Sequence, residues 1–391
     1  MYAIATCLIF SFCTFYTTAN GSDQAAQLVK QLGDSSFRKR EQAESELLNL
    51  GSEALPAIQA GINSPDKEIS ERCKKLLPLV RGADFNKKVR EFLADTEGKK
   101  NIVLPGWKRF QEIAGKEPGA RAFFSDIVLK HAEQLKLLES NPQEAARIYF
   151  QLISRINKFD FRAGGLSAPL KVHPNPPSIY ELALLMLLDS DPKIRDITYT
   201  RGDDPEYRLG YLFSRPYAEE YFSKNENSPL FRKLFAYWFD KTLEHTQTNG
   251  QDKTGFEDIV EACWLHDLKE AVPQLKKLLA KTDPDADELA GALQAFSKYG
   301  TEKDLELLKP LLKNESVCAS IDVPKEGHYE IQVRDVALGV SIYLSKRNPK
   351  DFAYKRLPEK PSDLTPLTFG FRNPDDRAVS FKKWQEFVGK K

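Results

Sequence analysis

Cysteine is scarce in this chain, five in 391 residues, and two of them, Cys7 and Cys13, fall within the first 19 positions. The three that remain, Cys73, Cys263 and Cys318, are too few and odd in number to staple an exported fold, so a hydrophobic core must hold it. Cys73 shares an apolar helical face with Ile69, Leu76 and Leu77 and reads as a buried, inert thiol. That leaves Cys263 and Cys318 as the one pair to consider for a bridge. An excess of one charge is missing too: 57 Lys and Arg stand against 56 Asp and Glu, a net +1. This balance excludes a protein built to coat nucleic acid or to cling to an anionic membrane through a polybasic surface. Beyond the N-terminus no apolar run approaches the ~20 residues of a membrane-spanning helix. Hydrophobic residues at 41% and charged residues at 29% match an ordinary globular chain and exclude wholesale disorder.

Catalytic signatures are lacking as well. The five histidines are His131, His173, His245, His266 and His328, and none stands in His-Glu-x-x-His. Neither Cys-x-x-Cys, nor a Gly-x-Ser-x-Gly elbow, nor a Walker-type glycine loop occurs. Gly164-Gly165 lacks the third glycine and the preceding strand of a dinucleotide site. The sequence therefore names no catalytic, cofactor-binding or metal-ligating residue.

What is present begins at the N-terminus. Residues 1 to 19 carry no charged side chain, and Ala3 to Phe15 are mostly apolar, as in the h-region of a signal peptide. Thr17 and Ala19 supply the small residues for cleavage after Ala19, ahead of the polar run Asn20, Gly21, Ser22 and Asp23. Cleavage implies export to the periplasm or the extracellular space; retention would leave an N-terminal anchor.

A weak internal repeat organises the rest. Residues 37 to 51 read Phe37-x-x-Arg40-x-x-Ala43-x-x-x-Leu47-x-x-Leu50-Gly51, and Phe37 and Arg40 return as Ile69 and Arg72, both 32 residues on. The end of the pattern is echoed by Ala292-x-x-x-Phe296-x-x-Tyr299-Gly300. After Gly51, Leu55-Pro56-Ala57-Ile58 leads to Ser64-Pro65-Asp66; in parallel, Val272-Pro273-Gln274-Leu275 leads to Asp283-Pro284-Asp285. Proline is tolerated in a first helical turn, where its missing N–H had no partner. Aligned on these prolines, Leu268 takes the place of Gly51. Such a hairpin is too thin to bury its apolar face alone and has to stack on a neighbour. Ala43 and Ala292 would lie where paired helices approach closely, and Leu47 and Phe296 would fill the seam.

The stretches 25 to 80 and 256 to 315 resemble the short HEAT-like repeats of many bacterial proteins, with an apolar-x-x-Arg step, a Leu-Gly helix end and a Pro-Asp connection. The tail, IQVRDVALGVSIYLSKRNPKDF and FRNPDDRAVSFKKWQEF, is similar to the tails of exported bacterial HEAT-repeat proteins. The resemblance implies a mainly α chain, an α-α superhelix with an irregular helical middle and a small C-terminal hairpin-plus-helix extension. The expected order is a signal peptide at 1 to 19, repeats at 22 to 82, an irregular helical region at 83 to 255, repeats at 256 to 315, and a hairpin, helix and tail at 316 to 391.

In the middle, apolar residues at helical spacing predict long helices, some closing at Asn141-Pro142 and Asp191-Pro192, with a Gly- and Pro-rich loop from Ala163 to Ser178. Phe231, Phe235, Tyr237, Trp238 and Phe239 surround a helix on all sides, which predicts burial. Alternation over Val317 to Val323 and Tyr329 to Val333 predicts a hairpin around Pro324-Lys325-Glu326-Gly327, and Asp335 to Leu344 a helix. Pro358 to Pro374 reads as extended, and Asp375 or Asp376 as the cap of a last helix whose buried face is Phe381, Trp384 and Val388.

Weaker chemical readings remain. Cys263-Trp264-Leu265-His266 sets a thiol and an imidazole at i and i+3, which a core thiol beside a surface histidine also explains. Asp189/Asp191 and Asp203/Asp204 read as turn acids, and Arg201-Gly202-Asp203 as a turn. The functional expectation is an exported scaffold, without cofactor or catalysis, whose solenoid surface binds another protein and not nucleic acid or, apart from its signal, membrane. The rival is an enzyme whose site would need His173, His328, Arg334 or Asp335 to converge in one cleft.

Overall fold

A computed structural model of the chain describes residues 21–162, 176–198, 209–249, 256–281, 285–361 and 364–389. The chain is mainly helical and divides into two compact units, Met1–Ile102 and Val103–Lys391. Among the described residues no helix is long and apolar enough to cross a membrane.

In the first unit α1 (Gly21–Gln31), α2 (Phe37–Leu50), α3 (Leu55–Gly61) and α4 (Lys67–Ala94) follow one another. Their common core is Ala25, Leu28, Val29, Leu32, Ala43, Leu47, Ala54, Ile58, Cys73, Leu76 and Val80. Ala43 and Leu47 are fully buried, as their helical spacing predicts. Gly51 ends α2 at φ +59°, a conformation that only glycine adopts freely. Pro56 sits in the first turn of α3, and the Asp66 carboxylate caps α4 by accepting from the N–H groups of Glu68 (2.8 Å) and Ile69. A Cβ on Gly61 would lie 2.5 Å from the Cys73 sulfur, so this glycine sets how closely α3 lies on α4.

The two repeat arginines act as ties between hairpins. Arg40 donates to the Asp34 carbonyl (2.7 Å), holding the turn before α2. Arg72 reaches from α4 to Glu41 (2.9 Å) and Glu44 (2.7 Å) on α2, and to Glu68 (2.7 Å) on its own helix. The apolar partners of these arginines are less alike than their spacing predicts. Ile69 packs over Gly33, whereas Phe37 is 64% exposed, with the Arg40 guanidinium 5.6 Å from its ring.

The second unit opens with α5 (Trp107–Ala114), α6 (Pro118–Ser140), α7 (Pro142–Arg162), α8 (Ile179–Asp189), α9 (Pro192–Thr198), α10 (Leu209–Phe213) and α11 (Ser228–Asn249). Asn141 ends α6 and Pro142 opens α7, as the Asn-Pro step predicts. α6 bends at His131, whose φ of −134° leaves the helical range. Phe231, Phe235, Trp238 and Phe239 are buried, whereas Tyr237 is half-buried, and Phe213, Phe222, Phe231 and Phe235 form a cluster of edge-on and tilted rings. The Gly- and Pro-rich segment 163 to 175, with Gly164, Gly165 and His173, lies outside the described residues, as do Arg201, Gly202, Asp203 and Asp204.

Next come α12 (Phe256–Leu265), α13 (Val272–Leu279), α14 (Ala286–Phe296) and α15 (Leu305–Leu308). Ala292 and Phe296 are fully buried. The residue that turns the chain after α12 is Asp267, at φ +51°, one place before the Leu268 that the proline alignment picks out. Aspartate is among the few side chains that tolerate this conformation. Two cations stabilise that helix end. Arg232 donates to the Asp267 (3.1 Å) and His266 (3.3 Å) carbonyls, and Lys298 to the Trp264 carbonyl (2.7 Å).

The chain closes with an antiparallel hairpin, β1 (Val317–Val323) and β2 (Gly327–Gln332), then α16 (Val333–Leu344) and α17 (Pro374–Val388). The hairpin and α16 stand where the alternation and the helical stripe place them. The segment expected to be extended between Pro358 and Pro374 contains a tight turn at Pro366–Thr368 and bridges β2 through Phe371 and Glu330. The cap of α17 is Asn373, accepting from the Asp376 N–H at 2.8 Å, because Pro374 takes the first helical position and moves both aspartates into the first turn. The buried face of α17 is Arg377, Ser380 and Trp384, while Val388 at its far end is exposed. Arg377 is drawn inward by Asp335, which is fully buried and accepts from it at 2.8 and 3.0 Å.

Candidate functional site

Two helical stripes and one strand enclose a cleft in the second unit. On α12 the stripe is Glu257, Val260, Glu261 and Trp264, with Leu265 at its end; on α14 it is Asp287, Ala290, Gly291 and Gln294. Both run i, i+3, i+4, i+7, the spacing that lines one helix face. The opposite face of α12, with Phe256, Ile259, Ala262 and Cys263, is buried in the core. Gly291 lets the two helices meet: a Cβ there would lie 2.6 Å from a Val260 methyl. Cys318 of β1 and the Leu364-Thr365 segment complete the wall, and the cleft encloses about 410 Å³, within the range of ligand-binding pockets. Gln294 fixes that segment by donating from Nε2 to the Leu364 carbonyl at 3.0 Å.

The floor is apolar and the rim is acidic. Glu257, Glu261 and Asp287 are exposed, as is Leu265 at 49%, so the cleft opens to solvent. None of the three carboxylates is in an ion pair with any described residue. Desolvation raises the proton affinity of Glu261, with Glu257 adding to it and Arg215 opposing. Desolvation and then Asp285 do the same for Asp287. Behind the rim, Glu288 is only 5% exposed, and burial pushes its carboxyl up to about 7. Burial likewise pushes the Cys318 thiol up to about 12, and its S–H points to the Ile331 carbonyl at 3.3 Å, so it is not a nucleophile at neutral pH. Among the described residues no three His, Cys, Asp or Glu side chains are placed to hold a metal ion.

The thiol and imidazole at i and i+3 on α12 belong to the core. Cys263 is fully buried, and its thiol is raised by desolvation. His266 is buried rather than on the surface. Its Nε2 donates to the Phe213 carbonyl at 2.8 Å, its ring stacks on Phe222, and desolvation lowers its proton affinity. The residues of that tetrapeptide that meet solvent are Trp264 and Leu265. The Lys298 ammonium stands 4.0 Å from the Trp264 ring. Cys263 and Cys318 are both free thiols.

The other sequence candidates among the described residues are spread out, and none of them lines the cleft. His328 is exposed near the hairpin turn and pairs with Asp322 at 2.9 Å. Arg334 pairs with Glu315 and donates to Gln332 at 2.7 Å. Asp335 is the internal partner of Arg377. Asp189 is a buried structural acid, accepting from Arg195 (2.7 Å) and the Trp238 indole (2.6 Å), and Asp191 pairs with Arg109 (2.9 Å). Acids four apart on α12, matched by Asp287 and Gln294 seven apart on α14, were the available sequence signal for the cleft.

No family model, no curated protein and no solved structure matches the chain.

Proposed function

We propose that the chain is an exported, non-enzymatic scaffold of the HEAT-like kind, its helix pairs stacked as an α-α superhelix, which binds another protein through a surface of the repeat block 256 to 315. The observation that carries this reading is the open cleft between the outer stripes of α12 and α14. A side of a helix pair that carries an exposed leucine, a tryptophan edge and three unpaired carboxylates is built for contact. Helical solenoids bind through long surfaces of this kind. Of the residues the rival enzyme reading needs, His328 pairs with Asp322, Arg334 with Glu315 and Asp335 with Arg377, while His173 lies outside the described residues.

The test is cross-linking and affinity recovery of the mature protein in its own compartment. One reproducible protein partner is expected. A clean monomer that turns over a small molecule would overturn the reading.

A further inference from the structure

The cleft also carries chemical information about what enters it. Its polar lining is acceptor-rich: the carboxylates of Glu257, Glu261 and Asp287 accept nothing from any described residue. Gln294 is 92% buried, with 8% of its surface exposed, and lines the same cleft. Its amide nitrogen is identified by donation to the Leu364 carbonyl, which leaves Oε1 as an acceptor with no donor. Val260, Ala290 and Leu364 supply an apolar floor between these acceptors. Elsewhere in this unit acids are neutralised within the chain, as Asp267 is by Lys298 (2.7 Å) and Asp240 by Lys277 (2.5 Å). Glu257 raises the proton affinity of Glu261, as Asp285 does that of Asp287; Arg215 opposes the first effect but forms no ion pair with Glu261, so the rim keeps an excess of negative charge that a cation would relieve.

We infer that this cleft is the docking site for a basic side chain, lysine or arginine, carried on an otherwise apolar segment of a protein partner. The aliphatic stem of such a side chain would lie on Val260 and Ala290 while its head meets the rim acids and the Gln294 oxygen. An acidic or purely polar segment would leave the floor uncovered or face three negative charges. Because the rim is open, a protruding chain segment suits it better than an enclosed small ligand.

This inference rests on the protein-binding reading above, and the two fail separately. The probes are fluorescein-labelled synthetic peptides alternating leucine with lysine, leucine with glutamate, and serine with lysine, measured by anisotropy against the full mature chain. The leucine–lysine peptide is expected to bind best, and to weaken as salt rises toward about 0.5 M. Glu257→Gln/Glu261→Gln/Asp287→Asn should weaken it by about tenfold or more, as should the separate surface variant Leu265→Ser by a smaller factor. Circular dichroism of both variants checks that they fold, and neutralising the rim relieves repulsion rather than creating it. Equal affinity for wild type and the triple variant, or no preference for the leucine–lysine peptide over the leucine–glutamate one, would overturn the inference. In either case the scaffold reading still stands if affinity recovery yields a protein partner, and falls only if it does not.

Discussion

Glu288→Gln isolates one electrostatic feature behind the cleft. Glu288 is 5% exposed on α14, and burial pushes its carboxyl from an ordinary 4.5 up to about 7, with Lys281 opposing and Asp285 and Glu257 adding to the shift. The native state therefore prefers the protonated acid. Its favourable contribution is fully present below about pH 4.5 and is lost as pH rises through about 7. A shift of that size corresponds to about 3 kcal/mol of differential interaction. Glutamine has nearly the same shape as the neutral acid and keeps an oxygen to accept from the Asp285 backbone. At pH near 8, Glu288→Gln should therefore stabilise the protein by about 2–3 kcal/mol, and near pH 4 it should change stability by less than about 0.5 kcal/mol. Urea denaturation of wild type and variant across that range measures the difference directly. A stability change that is the same at both pH values, or a variant that is less stable at pH 8, would refute the reasoning.

Other consequences are as specific. Asp335→Ala would leave the Arg377 guanidinium buried without its partner and should destabilise by about 3–5 kcal/mol; the double variant Asp335→Leu/Arg377→Met should lose less than the single change, as read from urea midpoints. Gly51 stands at φ +59° and ψ −130°, a combination that any Cβ strains, so Gly51→Ala should cost about 1–3 kcal/mol and Gly51→Asn about as much, measurable as a drop in Tm. Burial pulls the imidazoles of His131 and His266 below their ordinary range. The unfolded chain therefore takes up protons first as pH falls below 6.5, native stability declines there, and His266→Gln should flatten that slope relative to wild type. The proposed cleavage after Ala19 predicts Asn20 as the first residue found by N-terminal sequencing, and an intact Met1 would count against it.

Much of the helical framework is legible because it depends on local spacing. Ala43, Leu47, Ala292 and Phe296 read as buried from their period alone, and all four are. The hairpin is legible from alternation around Pro324 to Gly327. The helix end after α12 shows where local reading slips. Proline alignment points to Leu268, but the chain turns at Asp267, since an aspartate tolerates the left-handed conformation and a leucine does not. His266 looks like a surface neighbour of Asp267 and is instead buried by Phe213 and Phe222, which stand over 40 residues away in sequence. Likewise nothing local in Asp335 announces Arg377, 42 residues on. The cleft is least legible of all, since its walls come from α12, α14, β1 and the Leu364-Thr365 segment, and only their packing brings the unpaired acids to one apolar floor.

The claim that recognition runs through this cleft is tested most directly by a photo-cross-linking amino acid at Leu265, in the rim, with an identical probe at exposed Phe37 as the reference position. In the native compartment the account predicts one reproducible protein adduct from position 265, lost in the Glu257→Gln/Glu261→Gln/Asp287→Asn background and absent from position 37. An adduct of equal yield from both positions, or one indifferent to the three acids, would contradict it.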